Sequence, residues 1–82
     1  METEGEFRLE AVVGEDVRRP GHWHAAGSVH HGQERNHVAQ VAAGTEFPSR
    51  EAAYRGGIDA ARAVAKTLPP GYDYATYQAE KG

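Results

Sequence analysis

Apolar and polar residues alternate over residues 7–13, with Phe7, Leu9, Ala11 and Val13 on one side and Arg8, Glu10 and Val12 on the other. A period of two predicts a half-buried strand. Residues 22–30 repeat the pattern: Trp23, Ala25, Gly27 and Val29 share one face, and His22, His24, Ala26, Ser28 and His30 share the other. Between them, Pro20-Gly21 suits the central positions of a type II turn. Residues 31–36 are polar and contain Gly32, which marks a second turn. Residues 37–43 follow as a third strand. Val38 and Val41 fall on opposite faces there, so the pattern leaves its orientation open.

The period then changes. Over residues 50–68, Glu51, Arg55, Asp59, Arg62 and Lys66 form a charged stripe, and Ala53, Gly57, Ala60, Val64 and Leu68 form the opposite one. That spacing predicts an amphipathic helix with Glu51–Arg55 and Asp59–Arg62 pairs along its polar side. Ser49 stands at the N-cap, Glu51 lies in the first turn, and Pro69-Pro70-Gly71 stops the helix. A helix of this length, roughly 28 Å, matches a strand of eight or nine residues, roughly 27–30 Å. It therefore spans one sheet face, with Trp23 expected beneath it. Short connections imply an antiparallel meander.

The expected fold is α+β: a three-stranded antiparallel meander with one C-terminal helix packed on one face, β-β-β-α. Residues 1–6, with three glutamates and no large apolar side chain after Met1, read as a disordered start. Residues 7–68 form the single domain. Residues 69–82 form a C-terminal tail, a coil or a short extra element carrying Tyr72, Tyr74 and Tyr77.

Composition sharpens this outline. Eighty-two residues make one domain at most, with fourteen alanines and few large apolar side chains. Such a light core is near the limit for a lone domain, so a partner or a covering tail would help it. Nine basic against twelve acidic side chains leave a net charge of −3, which argues against a nucleic-acid or membrane-surface protein. No apolar run approaches the roughly 20 residues of a membrane span, and the opening residues are unlike a secretory leader, so the chain reads as cytoplasmic. With no cysteine, disulfides, thiol nucleophiles and thiolate zinc sites are excluded.

All five histidines lie within residues 22–37. His22 and His24, two apart on one strand face, are candidate metal ligands, with His37 from the third strand as a third. The competing account is a solvated sheet face, because no carboxylate is placed beside the pair. Ser28 lies between His24 and His30 but lacks the tight turn or helix start that builds an oxyanion site, so no catalytic residue is assigned. No glycine loop cradles a phosphate, and no cofactor is expected. Arg18 and Arg19 lie in one loop and Arg35 in the next, so they form no single basic patch. On the helix, Tyr54, Ile58, Ala61 and Ala65 form a second apolar stripe beside the core stripe. These four are the candidate interaction residues, with Ile58 expected at the rim and covered by the tail or by a partner.

The stretch from Glu46-Phe47-Pro48-Ser49-Arg50-Glu51 through Ala52-Ala53-Tyr54, followed by Gly57, Ala60 and Ala61, resembles a recurrent ending of short proteobacterial proteins of unknown function. In those, an aromatic-Pro-Ser/Thr step caps a single helix behind a small antiparallel sheet. The likeness covers residues 37–68 and implies a compact β-β-β-α domain without an activity to transfer. The layout is also similar to HicB-type antitoxins, which pair a partial ribonuclease-H-like sheet and helix with a toxin. Their glycine-rich strand ending and DNA-binding appendix are absent. It is similar as well to the second half of a double-stranded-RNA-binding domain, but this helix opens Arg50-Glu51-Ala52-Ala53 and lacks the lysines used on phosphates. Fold-level likeness does not give function. The expectation is a non-catalytic module that binds another protein or itself. The alternatives are a nucleic-acid-binding module and a histidine-mediated metal- or pH-responsive accessory domain.

Overall fold

The computed structural model describes residues 1–81 and contains six elements: β1 (Glu2–Glu4), β2 (Phe7–Glu15), β3 (Trp23–His31), β4 (Ala39–Phe47), α1 (Arg50–Ala65) and α2 (Tyr74–Lys81). The strands form one antiparallel sheet in the order β1-β2-β3-β4. The α+β meander is as expected, but it has four strands and two helices where the pattern predicts three and one.

The additional strand arises in residues 1–6, expected as a disordered start. Gly5 adopts φ +59°, as the first central residue of a two-residue II′ hairpin does. Glu2 and Glu4 are two apart, so they share a face. There Arg62 of α1 binds both, at 3.2 Å and 3.3 Å. The additional helix starts at Asp73, whose carboxylate accepts the Thr76 N–H at 2.9 Å. This is an N-cap directly after the Pro69-Pro70-Gly71 stop.

β2 and β3 pair over their full length, from Phe7↔His31 to Glu15↔Trp23. β4 pairs with β3 from Val29↔Ala39 to Ala26↔Ala42, then shifts register to Ala25↔Gly44 and Trp23↔Phe47. Both shifts place the extra residues on β4, so β4 carries the bulges.

α1 lies across one face of the sheet and is capped by Ser49, whose hydroxyl accepts the Ala52 N–H at 3.1 Å. The core consists of Phe7, Leu9, Val29, Val38, Ile58, Ala61, Ala65 and Tyr72. The helix is turned relative to the expected stripe. Ala53, Gly57, Ile58, Ala61 and Ala65 are buried, whereas Ala60, Val64 and Leu68 are only partly so. The turn brings the sole isoleucine inward, 3% exposed, and burying such a side chain outweighs burying Ala60. A Cβ on Gly57 would stand 2.7 Å from the Ala11 Cβ, and one on Gly27 would meet the Gly57 carbonyl oxygen. The absence of both side chains is what allows the helix to sit this close.

Trp23, expected beneath the helix, is only half-buried. It pairs with Glu15 and Phe47 at the extreme end of the ladder. The Phe47 ring occupies the space where a Gly56 side chain would be and fills that end of the layer.

Candidate functional site

The histidines are dispersed. His22 Nδ1 lies 3.2 Å from Glu46 Oε1, and the exposed His24 ring overlies Gly14. His37 precedes β4 at the other end of the sheet, roughly 20 Å away at 3.3 Å per residue. The candidate ligands His22, His24 and His37 are therefore not brought together. Among the described residues no group of three or more His, Asp or Glu side chains could hold a metal ion.

One histidine is buried: His30, 6% exposed, on the sheet face away from α1. Its Nε2 lies 3.2 Å from Ser28 Oγ and 3.5 Å from Glu10 Oε1, while Nδ1 is buried without a partner. A serine–histidine–acid relay needs the hydroxyl and the carboxylate on opposite ring nitrogens. Here both compete for Nε2, so the three residues do not form a relay. The His30 ring instead begins a row: His37 at 6.5 Å, then Tyr77 at 6.3 Å from His37, then Tyr74 at 6.1 Å from Tyr77. This row docks α2 against the β3–β4 turn. Arg8 holds the same turn by donating to Gly32 O and Glu34 O at 2.9 Å and 3.1 Å. Tyr72 enters the core and its hydroxyl donates to Glu80 at 2.7 Å.

At the opposite end, Arg19 donates to Glu46 at 2.5 Å and to Asp16 at 3.4 Å, tying the β2–β3 loop to β4. The Arg19 guanidinium holds the Glu46 carboxyl below its ordinary value, with His22 adding to the effect. The Arg18 N–H, and then Arg19, do the same for Asp16. These contacts brace the loop and neutralise Arg19 within it.

Of the candidate interaction residues, Ile58, Ala61 and Ala65 belong to the core, and only Tyr54 remains exposed, at 42%. The rim expected around Ile58 is thus replaced by a different surface. β1 covers β2 only along Phe7–Leu9, so the remainder of β2, Ala11 to Glu15, is an open sheet edge. Beside it a cleft of ≈ 600 Å³ runs between β2 and the start of α1, lined by Ala11, Val13, Arg50, Glu51 and Tyr54. A second hollow, lined by Met1, Leu9, Ala11 and Tyr54 among others, continues it toward β1. The large exposed apolar side chains of the described residues are Met1, Val12, Val17 and Tyr54, at 89%, 68%, 93% and 42%. All four lie on this edge or at its two ends. The sequence pattern singles out Tyr54 alone among them; Val12 is visible there only as an apolar residue on the polar side of its strand.

Comparison of the chain with protein-family models, with curated proteins and with solved structures finds no match. No helix among the described residues is long and apolar enough to cross a membrane.

Proposed function

We propose that the chain is a small non-catalytic protein-interaction module that binds by strand addition along the open half of β2. The observation that supports this is the gathering of Met1, Val12, Val17 and Tyr54 around Ala11–Glu15. An uncovered edge offers backbone hydrogen bonds, and an adjoining cleft with an apolar floor of Ala11, Val13 and Tyr54 and a charged rim of Arg50 and Glu51 selects side chains. The nucleic-acid reading has less support. Arg18 and Arg19 lie at one end of the sheet and Arg35 at the other, and Arg19 is already engaged by Glu46 and Asp16.

The test is an amide NMR spectrum of the ¹⁵N-labelled full chain at low micromolar concentration, with and without unlabelled cell extract. The expected result is selective broadening at Ala11, Val13, Glu15 and Tyr54 that Val12→Lys abolishes. Broadening centred on the β3–β4 turn, or none in a chain that also stays monomeric at high concentration, overturns the reading.

A further inference from the structure

The open half of β2 has a regular set of unpaired backbone groups. The Gly32 N–H donates to the Glu6 carbonyl at 3.0 Å, and the Asp16 N–H donates to the His22 carbonyl at 2.8 Å. Even-numbered positions of β2 therefore direct their backbone groups toward β3, and odd-numbered positions direct theirs to the other side. β1 takes up those of Phe7 and Leu9 through Glu4↔Phe7 and Glu2↔Leu9. Ala11, Val13 and Glu15 remain, with outward N–H and C=O groups. They are three evenly spaced residues centred on Val13.

We infer that two copies of the chain associate through antiparallel pairing of these segments about a two-fold axis at Val13. This rests on the binding-module reading and names its partner. In that register Val13 pairs with Val13 of the second copy, and Ala11 pairs with Glu15 in both directions. Each pair exchanges two backbone bonds, so every outward group of the three residues is used. A two-fold interface must be self-complementary in this way.

The same register gives the exposed Val12 a place. Val12 comes to lie beside Gly14 of the second copy, which carries no side chain and is overlain by its own His24 ring. Continuing the β1 register sets Met1 opposite Glu10. The dimer register sets the second copy's Asp16 opposite the same Glu10. Both cannot occupy that place, so the paired segment ends at Ala11 and Glu15, with Met1, 89% exposed, and Val17 of the second copy, 93% exposed, lying outside the strands at its ends. The two Tyr54 side chains lie over the seam on the helix side. Arg50 and Glu51 line the cleft together, so both charge signs are present at its rim and a second copy meets no uniform repulsion. The other edge of the sheet has none of these features: β4 is bulged twice and carries none of the four side chains.

Sedimentation equilibrium of the full chain over a concentration series tests the inference. The expected mass rises from 8.9 kDa to twice that value. Val12→Lys, a change at an exposed position, should weaken self-association at least tenfold, because the two lysines become diagonal neighbours on one sheet face. Mixing Val12→Lys with Val12→Glu should restore it. The chain has no cysteine, so a single introduced thiol is an unambiguous reporter. Val13→Cys should oxidise to a covalent dimer at least tenfold faster than Ala42→Cys, because paired residues of this type have Cα atoms about 5.5 Å apart, within disulfide range. A dimer that forms equally well in the Val12→Lys variant, with Val13→Cys oxidising no faster than Ala42→Cys, overturns the inference. A chain that stays monomeric while extract still broadens the Ala11–Glu15 amides overturns self-pairing and supports a foreign strand at the same edge. A monomer whose amides do not respond overturns both readings.

Discussion

Gly27 of β3 and Gly57 of α1 meet backbone to backbone, with the Gly57 carbonyl oxygen directly over the Gly27 Cα. The contact sets the spacing between the two layers. A methyl group added at Gly27 has nowhere to go without lifting the helix, because it meets that oxygen and, at 3.0 Å, the Ala61 Cβ. Gly27→Ala is expected to destabilise the fold by about 2–3 kcal/mol, the usual scale of overpacking. Gly57→Ala gains about 1 kcal/mol of helix propensity but drives a methyl to 2.7 Å from the Ala11 Cβ, so a net loss of about 1–2 kcal/mol is expected. Urea denaturation measures both. An increase in stability for either variant would show that the layers are farther apart than described.

Ile58 and Trp23 exchange the roles that the sequence pattern suggests for them. Ile58→Ala is expected to cost about 2–5 kcal/mol, as truncation in a core does. Trp23→Ala, at a half-buried position on the last rung of the ladder, is expected to cost only about 1–2 kcal/mol. Equilibrium denaturation that ranks Trp23 above Ile58 would return the helix to the orientation with Ala60 inward.

The pH dependence has two limbs of opposite sign. Glu46, Asp16 and Asp73 are held below their ordinary values by hydrogen bonds, from Arg19, the Arg18 N–H and the Thr76 N–H respectively. Each lowered carboxyl favours the folded state when ionised. That contribution is complete above the ordinary values of 3.8 and 4.5 and is lost as pH falls through the depressed folded values. Glu46→Gln is expected to lower Tm at about pH 6–7, and the gap from the unmodified chain is expected to close toward about pH 2–3. A gap independent of pH contradicts the assignment.

Tyr72 supplies the alkaline limb. Its hydroxyl donates to the Glu80 carboxylate, which raises it above its ordinary value of 10. The folded state is favoured while the phenol is protonated, and the contribution is lost as pH rises through the raised folded value. Tyr72→Phe should therefore flatten the decline in Tm above about pH 10. An unchanged decline in scanning calorimetry rules out the Tyr72–Glu80 bond as its source.

What is legible in the sequence follows strong periodicity. The alternation in residues 7–13 and 22–30 places two strands on the correct faces, and Ser49 starts the main helix, which ends at Ala65, short of the expected Leu68 before Pro69-Pro70. The departures have separate physical causes. Residues 2–4 form a strand because the Gly5-Glu6 turn folds them back onto β2 and Arg62, far along the chain, pairs with Glu2 and Glu4; the turn is a local signal, but the pairing is not. The buried stripe of α1 lies about one position out of phase with the one the pattern suggests, because two adjacent faces of the helix are close in apolar content and the packed structure turns Ile58 inward. The open edge of β2 is hidden for the same reason as β1. An edge becomes visible only once it is known how far its neighbour reaches.

The two bulges of β4 have a consequence for how assembly ends. A sheet that accepts a strand at both edges can grow without limit, one copy feeding the next. β4 is kinked out of register near Ala42 and Gly44, with Gly44 at φ 137°, and offers no straight template. The pairing inferred above is then confined to the β2 side, where joining a second copy would use up the open half of β2 in each. A chain that pairs as inferred above would stop at a finite pair and not polymerise into a fibre.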